Sequence, residues 1–160
     1  MPRAGGAMNK VLLAVDESKG GNACVSTCLR LFAARPPQEV VLLHVNELGG
    51  KSLVHDRISD AELATLHEDL EASGVMKELA SKSRVVLEHH RKTLEQGGLT
   101  RIKTLIGFGH VADEIVKAAK NEGAELIIIG ACRTLMQKLL MGDISKAVAN
   151  MADVPVLLAK

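Results

Sequence analysis

Glu125-Leu-Ile-Ile-Ile-Gly130, followed by Gly142-Asp-Ile-Ser145 and the closing run Val154-Pro-Val-Leu-Leu-Ala159, decides how this chain is read. A short, nearly continuous apolar run fits a strand buried on both faces, as in a parallel sheet covered by helices. Gly130 ends that strand and Gly142 opens the helix after it, an arrangement that lets backbone N–H groups close around a phosphate. The layout is that of a nucleotide site in altered form.

Working outward, Lys10-Val-Leu-Leu-Ala-Val15 and Val40-Val-Leu-Leu-His-Val45 repeat the buried-strand pattern. Residues 101–106 read as the third strand, 125–129 as the fourth and 154–159 as the fifth. Between the first two, Ser18 suits an N-cap, and Val25, Cys28, Leu29 and Phe32 recur at helical spacing up to Arg35-Pro-Pro37. Ser59-Asp-Ala-Glu62 matches a capping box, from which a long helical pattern runs to Gln96, interrupted at Gly74 and stopped by Gly97-Gly98. Val111 to Lys120 reads as a helix with Ile115, Ala118 and Ala119 inward, and Ile144 to Met151 as the last helix.

Strands alternating with helices imply right-handed crossovers and an α/β fold, a doubly wound parallel sheet with helices on both faces. Ligands in such sheets sit beyond the strands' carboxyl ends, where the strand order reverses. Those ends are Asp16, Val45-Asn46, Gly107 and Gly130. The expectation is a single α/β domain over residues 8–160, preceded by a flexible extension at 1–7.

Composition removes several function classes. The 160 residues carry 20 Lys+Arg against 19 Asp+Glu, a net charge of +1 with the basic residues scattered, so no electrostatic footprint for nucleic acid is present. Tyr and Trp are absent and Phe occurs twice, which removes the stacking platforms that single strands use. No apolar run approaches a membrane span and no secretion signal precedes the first strand, so a cytoplasmic protein with no membrane partner is expected. Three cysteines, Cys24, Cys28 and Cys132, argue for reduced thiols over a disulfide framework.

The ordered set Val11-Leu-Leu-Ala-Val-Asp16, His44-Val45, Gly107 before a helix, Leu126-Ile-Ile-Ile-Gly130, Gly142 with Ser145, and Val154-Pro-Val-Leu-Leu158 resembles the universal stress protein family. The resemblance covers almost all of residues 8–160. It implies a five-stranded sheet of order 3-2-1-4-5, a homodimer paired through the C-terminal strand, and a cytoplasmic role in stress survival with no assigned reaction. Nucleotide-binding members carry Gly-x2-Gly-x9-Gly followed by Ser or Thr, the glycines and hydroxyl surrounding the phosphates. Here Gly130 holds the first position, Arg133 replaces the second glycine, eight residues separate Arg133 from Gly142, and Asp143 replaces the hydroxyl. A side chain at position 133 intrudes where the backbone must approach a ligand, and a carboxylate at 143 competes with a phosphate for the same helix N–H groups. Ser145 offers a substitute hydroxyl, and Arg133 a bidentate donor.

By the same resemblance, Asp16 borders adenine and ribose, the backbone of Val45 edges the adenine, and Gly107 matches the family's glycine after the third strand. Each residue also has a plainer reading. Asp143 suits an ordinary N-cap, Arg133 a solvated loop, Asp16 a turn leading into the first helix, and Gly107 a tight turn that needs no ligand.

Rival readings fit less well. Gly107-Phe-Gly-His-Val-Ala112 matches the dinucleotide fingerprint formally, but on the third strand, and the following strand ends in Gly130 where an acid is required. A phosphorylatable receiver is only partly supplied with strand-end acids. Asp16-Glu-Ser-Lys-Gly-Gly21 does not match the loop of adenylating enzymes. The histidines His44, His55, His67, His89, His90 and His110 lack zinc-ligand spacing, and His89 and His90 are expected to point apart. Cys24 and Cys28 share a helix face as small core residues, whereas Cys132 lies in the loop after the fourth strand, open to a redox role. Leu135, Met136, Leu139, Leu140 and Met141 pack a short helix or, if exposed, meet a partner.

No acid, base or nucleophile constellation stands out, so the expected activity is binding and not catalysis. The primary expectation is a stress-response protein with an adenine nucleotide, ATP or AMP, in the cleft of Asp16, Val45, Gly107, Gly130, Arg133, Gly142, Asp143 and Ser145, with no metal beyond nucleotide-associated magnesium. The alternative is a nucleotide-independent dimer that binds a protein partner the sequence does not name. A weak nucleotide hydrolase is a distant third.

Overall fold

The computed structural model describes residues 6–48, 59–131 and 144–160. The elements are β1 (Lys10–Ala14), α1 (Lys19–Leu31), β2 (Glu39–Glu47), α2 (Asp60–Ser73), α3 (Val75–Gln96), β3 (Ile102–Gly109), α4 (Val111–Glu122), β4 (Leu126–Gly130), α5 (Ile144–Met151) and β5 (Val156–Ala159). All strand pairs are parallel, and the order is β3-β2-β1-β4-β5. The doubly wound sheet expected from the alternation is therefore present. Its reversal of strand order falls between β1 and β4, because the chain winds outward to β3 on one side and to β5 on the other.

Side chains that alternate along each strand divide into two cores, one on each face. Val11, Leu13, Val40, Leu42 and Ile128 join Cys24, Val25, Cys28, Leu87 and Leu94 under α1 and α3. Leu12, Val41, Leu43, Ile127 and Ile129 join Ala112, Ile115, Ala119 and Val148 under α4 and α5. Leu12, Leu42, Ile127 and Ile128 are fully buried, and burying a side chain of this kind contributes roughly 1.5–3 kcal/mol before chain entropy is counted. The central strands are continuously apolar over Val11–Ala14, Val40–Leu43 and Leu126–Ile129 because both of their faces are covered there.

The helix boundaries follow local chemistry. Ser18 caps α1 by accepting from the Gly20 N–H at 3.1 Å. Ser59 and Glu62 form the full capping box of α2: Glu62 N–H donates to Ser59 Oγ at 3.3 Å, and Ser59 N–H donates to Glu62 Oε2 at 2.8 Å. The long helical pattern is broken at Gly74, whose φ of 79° caps α2 and lets α3 start in a new direction.

The third strand runs further than expected. It continues through Gly107 to Gly109, with Val45 opposite Gly107 and Glu47 opposite Gly109, and β2 lengthens to match. Gly107 is thus extended backbone inside a ladder, not a tight turn. The positive φ that only glycine tolerates well lies two residues on, at Gly109, where φ is 143°. The fifth strand is shorter than expected, starting at Val156, since Pro155 has no N–H to add to the ladder.

Candidate functional site

The carboxyl ends of β1 and β4 flank the reversal point, and they are built from glycine contacts. A Cβ on Gly130 would lie 2.5 Å from Gly20 Cα and 2.6 Å from both Gly20 C and Gly20 O. The first turn of α1 therefore rests directly on the end of β4. A Cβ on Gly21 would likewise run into the Asp16 carbonyl oxygen. The N–H of Ala131 donates to the Ala159 carbonyl at 2.7 Å, so the first amide after Gly130 is engaged by the end of β5. Gly130 is explained by close backbone packing, with no ligand required for it.

Asp16 follows β1 and is exposed. Its Oδ1 accepts from the Ser18 N–H at 2.9 Å and from the Ser18 hydroxyl, while Ser18 Oγ accepts from Gly20. This relay makes Asp16 both the brace of the α1 cap and a carboxylate at the mouth of the crevice.

Val45 lies past the end of the β1–β2 ladder, whose last register pair is Ala14 with Leu43. The Leu43 carbonyl accepts from the Val15 N–H at 2.9 Å. Backbone groups two residues apart along a strand face the same way, so the N–H and C=O of Val45 point toward β1's side of the sheet where β1 has stopped. On the opposite face, a Cβ on Gly107 would meet Val45 Cγ2 and Glu114 Oε2, each at 3.3 Å. Val45 and Glu114 thus both close in on Gly107, and the Glu114 carboxylate pairs with Lys117 at 3.5 Å.

The other face of this edge holds a polar cluster. Ser83, on α3, is buried; its hydroxyl donates to the Leu79 carbonyl at 3.0 Å and accepts from Asn46 Nδ2 at 2.8 Å. His44 Nδ1 lies 2.8 Å from the same oxygen, whose proton is already directed to Leu79, so Nδ1 carries the hydrogen. His44 Nε2 faces Glu17 Oε2 at 3.8 Å. Burial holds the His44 imidazole below its ordinary range, opposed by the charges of Glu17 and Asp16 and reinforced by His90.

His90, two turns along α3 from Ser83, is 2% exposed, and its Nε2 lies 2.8 Å from the Asp16 carbonyl oxygen. A carbonyl only accepts, so His90 donates. The His89 and His90 rings meet edge-on with centroids 5.2 Å apart, which corrects the expectation that they point apart: ring rotation about the side-chain bonds brings adjacent imidazoles together.

Of the expected site residues, Asp16, Val45, Gly107 and Gly130 gather along the carboxyl ends of β1–β4, and half-buried Ser145 lies in the first turn of α5. Arg133, Gly142 and Asp143 lie outside the described residues, as do Cys132 and the apolar run from Leu135 to Met141. The sequence reading missed Gly20, Ser83, His90 and Glu114. Ser83 and His90 left a signal, because they interrupt the inward stripe 83, 87, 90, 94 with polar residues. His110 precedes α4 without capping it, and its Nε2 is buried with no partner among the described residues. Also among the described residues, no group of three or more His, Cys, Asp or Glu side chains converges as a metal site, and no helix is long and apolar enough to cross a membrane.

Comparison with known proteins places this geometry in context. The chain is 28% identical over 155 residues to universal stress protein MJ0577 of Methanocaldococcus jannaschii, covering 94% of each chain. Against the solved structure of MJ0577 the TM-score is 0.73, with 97% of each chain covered. Two more distant structures share the fold. One is a universal stress protein in complex with cAMP, with TM-score 0.64, 15% identity, and 97% and 98% of the two chains covered. The other is the universal stress protein of Archaeoglobus fulgidus in complex with dAMP, with TM-score 0.61, 17% identity, and 97% and 100% covered. The model of the universal stress protein family matches residues 8–160, and together with the parallel 3-2-1-4-5 sheet and its strand-end crevice this establishes that the chain belongs to that family.

Proposed function

We propose that this chain is a cytoplasmic stress-response protein that acts by binding an adenine nucleotide at the carboxyl end of its sheet, without catalysing a reaction. The observation that carries the reading is that Asp16 follows β1, which borders the reversal point, while the amide edge of Val45 on the adjacent β2 faces the side where β1 has stopped. A peptide N–H and C=O presented side by side match the donor and acceptor on the edge of adenine, and a carboxylate accepts from ribose hydroxyls. Gly107 pairs with Val45 from the neighbouring β3, on the side away from β1. The related structures described with cAMP and dAMP support the choice of adenine over other bases.

The phosphate half is weaker. Gly130 is already closed against Gly20, and Ser145 provides one hydroxyl at the start of α5. With Arg133 in place of a glycine and Asp143 in place of a hydroxyl, Gly142 is the remaining family match there, and AMP is expected to bind at least as well as magnesium–ATP. Any metal in the site arrives with the nucleotide.

Isothermal titration of the purified protein with AMP and with magnesium–ATP tests the reading, together with chromatography of any nucleotide released on denaturation. Micromolar binding or co-purified adenine nucleotide supports it. Absence of both refutes it in favour of the second reading, a nucleotide-independent dimer that engages a protein partner. That reading draws on one feature: β5 is an edge strand whose Leu158 is 47% exposed, and Met151, at the end of the preceding α5, is 42% exposed. An unpaired apolar edge invites strand pairing, so a homodimer through β5 is part of both readings. A sedimentation mass of one protomer at micromolar concentration would remove it from both.

A further inference from the structure

We propose that Ser83 and His90 of α3 are positioning residues for the adenosine half of the cleft, setting the Val45 edge and the Asp16 turn without touching the ligand. The inference rests on the nucleotide reading above and assigns a role to a helix that contributes no residue to the cleft itself.

The geometry runs through two neighbouring strand ends. His44 and Asn46 flank Val45, and because strand side chains alternate, both point to the α3 face while Val45 points away. Both end on the single oxygen of Ser83, His44 Nδ1 at 2.8 Å and Asn46 Nδ2 at 2.8 Å. The β1 ladder has ended by this point, which leaves this segment of β2 paired to β3 on one edge alone, and Ser83 adds a restraint from the helix side. Seven residues along α3, His90 donates to the carbonyl of Asp16, the residue whose carboxylate braces the α1 cap. One rigid helix thereby fixes the relative placement of the adenine edge and the ribose carboxylate.

A polar residue on a buried stripe costs stability unless its hydrogen bonds are made. Here the hydrogen bonds that offset the cost run to the two segments that define the cleft and, from Ser83, to one intrahelical carbonyl. The hydrogen placement is itself diagnostic: His44 holds its proton on Nδ1 and His90 on Nε2, opposite tautomers in one protein.

The experiment has two arms on the full-length chain. In the first, without nucleotide, long-range 1H–15N spectra read the tautomers of His44 and His90, and amide shifts of Asp16 and Val45 are compared among wild type, Ser83→Ala and His90→Leu. Opposite tautomers, with amide movement at 45 in Ser83→Ala and at 16 in His90→Leu, are expected; identical tautomers or unmoved amides overturn the proposal. In the second, adenosine and AMP are titrated into wild type, both variants, and the donor-retaining Ser83→Thr and His90→Gln, at a temperature where circular dichroism shows all of them folded. Losses of about tenfold, equal for adenosine and AMP, with recovery in the conservative variants, are expected. Wild-type affinity in Ser83→Ala and His90→Leu, or a loss for AMP alone, overturns the proposal. If wild type binds neither ligand, the nucleotide reading fails by itself, and the first arm still decides whether α3 positions these strand ends.

Discussion

Replacing Gly130 by alanine adds one methyl group at the point where β4 meets the first turn of α1. The added carbon would stand 2.5 Å from Gly20 Cα and 2.6 Å from Gly20 C and O, about an ångström inside ordinary contact. None of these atoms belongs to a side chain that could rotate away, so either α1 moves off the sheet or the end of β4 bends. Overpacking commonly costs about 1–3 kcal/mol, and contact with backbone alone puts this case at the upper end, about 3 kcal/mol. For a chain of this length that lowers the melting temperature by roughly 6–12 °C. The reciprocal change is the control. A Cβ on Gly20 would sit 3.3 Å from Ser18 Oγ and 3.4 Å from Gly130 Cα, while alanine improves helix propensity by about 1 kcal/mol, so Gly20→Ala is expected to be within about 1 kcal/mol of wild type. Thermal and urea unfolding of the two variants supply the comparison. A Gly130→Ala protein that melts with wild type would refute the packing account of this glycine and return it to a role at the ligand. The same result governs how nucleotide titrations on Gly130 variants are read, since a loss of binding there would first report a displaced α1.

Three other outcomes are expected. The imidazole of His44 is held below its ordinary range by burial, so the unfolded chain takes up the proton first; the stability this confers is complete above about pH 6.5 and is lost as pH falls through the depressed folded value. His44→Asn, which keeps a donor toward Ser83 without titrating, should lose less stability than wild type between pH 7 and 5 in urea unfolding, and an identical pH dependence would exclude His44 as its source. Burial pushes the thiols of Cys24 and Cys28 up to about 12, so neither should react with an aromatic disulfide at pH 8 until the protein is unfolded, and mass mapping of native Cys24 or Cys28 adducts would contradict this. Ser59→Ala removes the capping box of α2 at a cost of about 1 kcal/mol, and because α2 has no buried residue the effect should be confined to faster amide exchange across residues 60–73, with a large drop in global melting temperature as the opposing result.

The sheet was legible in the sequence because two covered faces force continuous apolar runs, and Val11 to Val15, Val40 to Val45 and Leu126 to Ile129 have few other uses. Capping residues at Ser18, Ser59 and Gly74 were legible for a similar reason: each acts on atoms two or three positions away. What escaped was long-range. The clash that makes Gly130 a glycine is with Gly20, and the partners of Ser83 lie 37 and 39 positions back, at Asn46 and His44. The extension of the third strand to Gly109 was hidden because glycine carries no strand signal of its own, and only the pairing with β2 shows it. The strand-end residues Asp16, Val45, Gly107 and Gly130 could be placed one by one, whereas three of the eight expected residues, Arg133, Gly142 and Asp143, lie outside the described structure.

The central position of β1 has a consequence for how the chain is made. Residues 10–14 are synthesised before every other strand of this sheet, and β1, β2 and β3 can close a three-stranded unit as soon as residue 109 is available. The other edge of β1 must wait for β4, more than 110 residues downstream, because Val11 pairs with Leu126. Until then a strand buried at Val11, Leu12 and Leu13 presents an open ladder, the condition that favours off-pathway association. A chain ended after Glu122 should therefore show parallel-sheet content and strong light scattering at micromolar concentration, whereas a monodisperse truncation would contradict this order of events. For a protein whose relatives answer to stress, the interval between residue 14 leaving the ribosome and residue 130 following it is the stage at which its own yield is most exposed to conditions in the cell.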